Sequence, residues 1–193
     1  MKARETGNVR IFDDVDREKA KRIIQSAKDE SRGFLSAGEA NSLMEAYNIP
    51  LARWRVVDSG AEAVGAAREI GFPVVVKVDS EKIVHKSDVG GVAINLRDDG
   101  VGLAVAEMEK RFRSEKPRYL IQEFVPQDLE LIVGAKAEER LGHIIVFGIG
   151  GVQVEVLRDV ALGITPITAF EAKEMITSIR SYPLLSGFRG KKG

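Results

Sequence analysis

Between residues 71 and 96 the chain reads GFPVVVKVDSEKIVHKSDVGGVAINL, and two side chains in it could handle a phosphate. Lys77 stands among Val74, Val75, Val76 and Val78. Its alkyl stem suits apolar surroundings, and its ammonium then needs an anion or water. A nucleotide phosphate meets that need; a strand lysine turned to solvent is the other reading. His85 follows in a polar turn. A neutral imidazole nitrogen accepts phosphoryl groups well, and an ordinary pKa of about 6.5 leaves histidine mostly neutral at pH 7. Lys86, Ser87 and Asp88 come next. Lysine or serine can hold a phosphate, and a carboxylate can orient the imidazole. Gly90 and Gly91 let backbone approach a ligand closely and present amides to it. The alternative is a polar surface loop whose histidine does no chemistry.

Two further clusters lie downstream. Gln122-Glu123-Phe124-Val125-Pro126, with Glu130 beyond, reads as a strand ending in a proline-limited bend. Such an end exposes N–H and C=O groups that an adenine edge could use, with Phe124 or Val125 as an apolar wall. Glu130 could accept bonds from ribose hydroxyls; a hairpin with an acidic edge reads equally well. Phe147-Gly148-Ile149-Gly150-Gly151 leads to Glu155. It lacks the third glycine and following helix of a dinucleotide loop. It suits a close approach of backbone or phosphate. Glu155 either contributes to a magnesium site or faces solvent.

These residues must be positioned by regular elements. Apolar residues at Ala20, Ile23, Ile24 and Ala27 predict a helix over 16–30. Ser36 and Glu39 form a capping-box pair heading a second helix. Residues 53–57 predict a short strand, and 61–70 a helix stopped by Gly71. The β-branched run 74–78 predicts a central strand. Residues 91–96 predict the next strand, and Gly100 precedes a helix ending near Arg113. After Pro117, strands are expected over 119–124, 130–137, 143–147, 153–157 and 160–164. Thr168 and Glu171 cap a last helix with Ala172, Met175, Ile176 and Ile179 inside. The order is α+β, with a subdomain boundary at 116–117. His143, opening an apolar strand, is expected to be structural.

Composition narrows the function classes. Basic and acidic residues balance at 29 each, so no whole-chain field points to nucleic acid or an anionic membrane. The absence of cysteine excludes disulfides and thiolate metal sites. The opening MKARETGNVRIFDD has no signal-peptide core, and no apolar run approaches the roughly 20 residues of a span. A cytoplasmic protein is expected. No P-loop, GxSxG or HExxH pattern occurs.

Four blocks, GFPVVVKVDSEKIVHKSDVGGV, QEFVPQDLELIVGAK, VFGIGGVQVEVLRDVALGITP and YPLLSGFRG, occur in this order. Together they resemble the ATP-grasp β subunit of ADP-forming acetyl-CoA (acyl-CoA) synthetases, and the corresponding domain of fused NDP-forming acyl-CoA synthetases. The resemblance runs over roughly residues 36–190. It implies an ATP-grasp fold of two α+β subdomains clasping a nucleotide, with an extra N-terminal helix. The expected division is an extension over 1–35, a first subdomain over 36–116 and a second over 117–193.

The resemblance also implies a reaction. A CoA-binding α subunit turns acyl-CoA and phosphate into acyl phosphate and CoA. An α-subunit histidine takes the phosphoryl group, and a β-subunit histidine, here His85, receives it and passes it to ADP. Lys77 then matches the lysine on the nucleotide phosphates, Glu123 and Val125 the adenine hinge, and Glu130 the ribose contact. Lys86, Ser87, Asp88, Gly90, Gly91, Gly148, Gly150 and Gly151 match the phosphate-handling loops. Family members continue past the FRG block into an ELDINPL-type strand that holds the usual magnesium ligands. The resemblance therefore implies Mg²⁺ ligands largely outside this chain, with Glu155 the one candidate within it. The implied assembly is a hetero-oligomer such as α2β2. The alternative is a non-catalytic or regulatory nucleotide-binding subunit that has lost the magnesium-binding end.

Overall fold

A computed structural model describes residues 9–80, 88–115, 117–126, 129–151 and 159–187. The chain divides into two compact units, Asp13–Pro126 and the combination of Met1–Phe12 with Gln127–Gly193. Each contains its own antiparallel sheet.

The unit Asp13–Pro126 begins with helices α1 (Arg17–Asp29) and α2 (Ala37–Ala46). Asp16 caps α1 by accepting from the Lys19 amide at 2.8 Å. The expected capping box at Ser36 and Glu39 is formed at the head of α2. Strand β1 (Trp54–Val57) and helix α3 (Gly60–Ile70) follow. Gly71, at φ +95°, takes a backbone state open to glycine and ends that helix. Then come β2 (Val74–Asp79), β3 (Val92–Leu96), α4 (Asp98–Arg111) and β4 (Arg118–Glu123). Helix α4 starts earlier than Gly100: Asp98 and Asp99 lie in its first turn, where acidic groups favour the helix dipole.

The sheet order is β1-β4-β2-β3. Alternation along β2 sends Val74, Val76 and Val78 to the side of α3 and α4, each with no exposed surface. Val57, Ile121, Ala63, Ala67, Val101 and Val105 complete that core. The opposite face carries Val75 and Lys77 on β2, with Leu120 and Gln122 opposite on β4. The side of this face near Asp79 meets the N-terminus of α2. The Asp79 carboxylate is buried and accepts from the Gly38 amide at 2.9 Å, the Ser36 hydroxyl at 3.3 Å and Arg118 Nη2 at 3.0 Å.

The sequence places a subdomain boundary at 116–117, and the compact units divide ten residues later, after Pro126. Strand β4 pairs along its length with both β1 and β2, so it falls in the same unit as they do. Helix α1, in the expected extension over 1–35, lies in the same compact unit as α2 and the first sheet. The Asp16 amide, just before α1, donates to the Ala46 carbonyl at 2.7 Å.

The other unit holds β5 (Leu131–Glu138), β6 (Gly142–Ile149) and β7 (Val160–Ile164), in that order across the sheet. The predicted strand over 153–157 lies outside the described residues. Helix α5 (Ala169–Ser178) and the short α6 (Tyr182–Leu185) follow. Thr168 and Glu171 form the expected capping box. Met175 and Ile179 are buried, but Ile176, expected inside, is exposed. Helix α5 packs on β7, where Gly163 leaves room for Met175: a Cβ there would lie 2.7 Å from its Sδ. On the other face of the strand, Val160, Leu162 and Ile164 are exposed. His143 is exposed at the start of β6, so its imidazole is not a core group.

Candidate nucleotide-binding site

Lys77 is the only residue of β2 that is not buried. Its position on the face away from α3 and α4 follows from strand alternation. The ammonium donates to Gln122 Oε1 at 2.8 Å, a half-buried contact. Gln122 sits diagonally opposite, because Lys77 pairs with Leu120 and Val75 pairs with Gln122. The strand lysine thus keeps its stem among valines and delivers its charge to a polar group on the sheet surface.

The end of β4 is built as a bend. The Glu123 amide donates to the Arg53 carbonyl at 2.8 Å, and the Phe124 amide to the Pro73 carbonyl at 3.0 Å. After them the pairing stops. Val125 is exposed, and among the described residues its N–H and C=O enter no hydrogen bond. Open backbone groups past a proline-limited strand can take an aromatic ring with donor and acceptor edges. The Glu123 side chain turns to Arg53, whose guanidinium bonds hold the carboxyl below the usual carboxylate range. Its side chain thereby ties the bend to Arg53.

His85, Lys86, Ser87 and Glu155 lie outside the described residues. Asp88 and Gly90 form an exposed turn after that segment, and Gly91 is buried. The Gly91 carbonyl accepts from the Val78 amide at 2.8 Å, tying the turn to β2. The space beside Gly90, expected for a ligand, is taken by the Arg111 guanidinium.

In the other unit, Glu130, Gly150 and Gly151 are brought together. The Gly150 amide donates to the Glu130 carbonyl at 2.7 Å, and a Cβ on Gly151 would strike the Glu130 side chain. Gly151 also has φ +66°. Gly148 is close-packed for another reason: a Cβ there would collide with the Asp159 carbonyl and with Val160 of β7. The space at each of these glycines is filled by protein. Sequence reasoning missed Gln122, Arg53 and Arg111 as partners of Lys77, Glu123 and Gly90. Their roles follow from cross-strand register and helix packing, for which the local sequence carries no signal.

Among the described residues no group of three His, Cys, Asp or Glu side chains is arranged to hold a metal, and no helix is long and apolar enough to cross a membrane.

Comparison with known proteins agrees with this geometry. Residues 26–193 match the model of the ATP-grasp domain family. The 4-hydroxybutyrate–CoA ligase (ADP-forming) of Nitrosopumilus maritimus is 41% identical over 184 residues, covering 92% of this chain and 26% of that protein. The β subunit of acetate–CoA ligase (ADP-forming) I of Pyrococcus furiosus is 39% identical over 180 residues, covering 90% of this chain and 77% of that subunit. One solved structure of Ca. Korarchaeum cryptofilum dinucleotide-forming acetyl-coenzyme A synthetase 1 contains coenzyme A and Mg-AMPPCP, with its phosphohistidine segment pointing towards the nucleotide-binding site. It is similar with a TM-score of 0.76 at 40% identity, covering 89% of this chain and 76% of that one. The chain thus spans about a quarter of the length of some curated relatives and about three quarters of the β subunits. With the half-buried lysine, the open strand end and the match over residues 26–193, the chain belongs to the ATP-grasp family and is homologous to the β subunits of ADP-forming acetate–CoA ligases.

Proposed function

We propose that this chain is the nucleotide-binding part of an ADP-forming acyl-CoA synthetase, converting acyl-CoA, ADP and phosphate to a carboxylic acid, CoA and ATP. The observation that carries this reading is Lys77, set in a buried valine strand with its ammonium 2.8 Å from Gln122. In the same unit, the open backbone at Val125 ends the adjoining strand. Lys77 grips the nucleotide phosphates, and the backbone of Glu123 and Val125 borders the base. Glu130 serves the ribose. Gly148, Gly150 and Gly151 belong to the phosphate-handling region.

His85 is the relay nucleophile in this proposal. One of its ring nitrogens bonds to the incoming phosphorus while the donor's P–N bond breaks. The ADP β-phosphate oxygen then displaces the imidazole, giving ATP and neutral histidine. Dividing a long transfer into short displacements suits a nucleophile that is mostly neutral at pH 7. Lys86, Ser87, Asp88, Gly90 and Gly91 flank that step. A CoA-binding partner subunit supplies the phosphoryl group and selects the acyl chain, in a hetero-oligomer such as α2β2 in the cytoplasm. Mg²⁺ accompanies the nucleotide, as in the Korarchaeum complex. The described residues do not fit a metal site, and the candidate Glu155 is not among them.

The test is incubation with γ-labelled ATP and Mg²⁺, with and without the partner subunit, followed by mapping of acid-labile, base-stable phosphate. Label on wild type that disappears in His85→Ala supports the relay. Nucleotide binding without any such label, in the presence of the partner, would point to the regulatory subunit instead.

A further inference from the structure

Arg111 closes helix α4, and its side chain folds onto a turn far from it in sequence. Nη1 donates to the Val89 carbonyl at 3.1 Å. The guanidinium lies so close to Gly90 that a Cβ built there would sit 2.6 Å from Nη1 and 3.0 Å from Cζ. Gly90 also has φ +72°, a state that glycine enters without steric cost. Two independent demands therefore meet at one residue, the turn's backbone shape and the room for Arg111. The same turn is tied from the other side by the Val78 amide, which donates to the Gly91 carbonyl at 2.8 Å. Residues 88–91 are held between the end of α4 and the central strand.

The helix that supplies this brace is itself firmly seated. Val101 and Val105 have no exposed surface and Met108 is 3% exposed, all packed in the core beneath the sheet. Arg111 and Val89, by contrast, are exposed. An exposed hydrogen bond of this kind adds little to global stability, since water competes for both partners. What it can set is local geometry. The sequence suggests that Gly90 makes room for a ligand, and the structure gives that room to an arginine.

We infer that Arg111 is a positioning residue for phosphoryl transfer, acting through the turn 88–91. This rests on the proposed function, in which the segment leading into that turn carries the relay histidine. Arg111 fixes the backbone of the turn 88–91, whose Asp88, Gly90 and Gly91 flank the transfer step in that proposal. No contact of Arg111 with nucleotide is required. Phosphoryl transfer is sensitive to such placement, because misplacement of a reacting group by about 1 Å can cost on the order of a hundredfold in rate.

The experiment compares wild type, Arg111→Ala, Arg111→Lys and Gly90→Ala in the full chain with its CoA-binding partner. Two readouts are taken: the rate of acid-labile labelling from ATP, and amide hydrogen exchange over residues 88–92. For Arg111→Ala, labelling is expected to slow by about tenfold to a hundredfold. The KM for ATP should move by less than about twofold, because the brace does not touch nucleotide. Exchange over 88–92 should rise while the melting temperature stays within about 2 °C. Arg111→Lys, which keeps a donor for the Val89 carbonyl, should recover part of the rate. Adding Gly90→Ala to Arg111→Ala should cost less than the sum of the two, because the clash with the guanidinium is gone and only the cost of the positive φ remains. Unchanged exchange in Arg111→Ala overturns the brace, and raised exchange with an unchanged labelling rate overturns its role in transfer. If wild type takes no label at all, the proposed function fails, and the catalytic part of this inference with it; the exchange data then judge the brace alone.

Discussion

Arg53 and Glu123 lie 70 residues apart and hold the end of β4 from both main chain and side chain. Arg53 Nε donates to Glu123 Oε2 at 3.0 Å, Nη2 to Oε1 at 3.3 Å, and the Arg53 amide to Oε2 at 3.3 Å. In return the Glu123 amide donates to the Arg53 carbonyl at 2.8 Å. The bend after β4, proposed to border the nucleotide base, is thus anchored by the Glu123 side chain.

This relationship predicts a split between affinity and stability for Arg53→Ala. The pair is largely exposed, so the melting temperature should fall by less than about 2 °C. Nucleotide affinity should weaken by about two- to tenfold, the scale of one misplaced hydrogen-bonding edge. Calorimetric titration with ADP checks this, and an unchanged dissociation constant would show that the ion pair does not shape the hinge.

Asp79→Ala should destabilise the unit Asp13–Pro126 markedly. The carboxylate is buried under the first turn of α2, with Ser36, Gly38 and Arg118 all donating to it. Removing it leaves a helix N-terminus and a guanidinium without their acceptor. The expected loss is about 1.5–3 kcal/mol by denaturant unfolding, the range for hydrogen bonds to a charged group. A loss below about 0.5 kcal/mol would contradict this role, being the size of an ordinary surface substitution.

Two glycines of the second sheet should respond differently to alanine. At Gly148 the added Cβ meets the Asp159 carbonyl, which is backbone and cannot step aside. At Gly163 it meets the far end of the Met175 side chain, which has three rotatable bonds. Gly148→Ala should therefore cost about 1–3 kcal/mol, and Gly163→Ala clearly less. Thermal unfolding of both variants decides it; equal losses would mean that Met175 is as rigid as a strand.

Tyr119 offers a substitution expected to help. Its ring is 1% exposed, its hydroxyl has no hydrogen-bond partner among the described residues, and burial pushes its pKa up to about 12. Phenylalanine removes an unpaired polar group while keeping the ring. Tyr119→Phe should be neutral or up to about 1 kcal/mol more stable. A measurable loss of stability would reveal a partner for the hydroxyl.

Acid stability should depend in part on Glu39. Its carboxyl is held below the ordinary range by the Arg32 guanidinium, which donates to both oxygens at 2.7 Å, and by the Ser36 amide. A depressed folded-state pKa means that this contribution is complete above the unfolded value of about 4.5 and fades as pH falls through the folded value. The gap in melting temperature between wild type and Glu39→Gln should be widest above about pH 4.5 and close below it. A gap that widened towards acid would reverse the assigned sign.

Much of the local structure was legible because it is encoded locally. Ser36 with Glu39, and Thr168 with Glu171, announce capped helices, and both capping boxes are formed. The run 74–78 announces a strand, and β2 begins at Val74 as expected and continues to Asp79. The blocks around Lys77 and Glu123 announce the ATP-grasp family, and the match over residues 26–193 agrees. The division between the compact units carries no such local signal. RYLIQE looks like any half-apolar strand, and only pairing with β1 and β2 decides that it belongs with the first sheet.

The sequence by itself thus determined which residue types were available for phosphate handling and which segments would be helix or strand, because both depend on short-range chemistry and periodicity. Only the tertiary structure decided what each of those residues touches. Register put Gln122 beside Lys77, the end of β1 turned Glu123 into an anchor for Arg53, and the seating of α4 gave the space at Gly90 to Arg111. These neighbours stand 21 to 70 positions apart in the chain, and contacts at that separation are set by how sheets pair and helices pack, which no local pattern records.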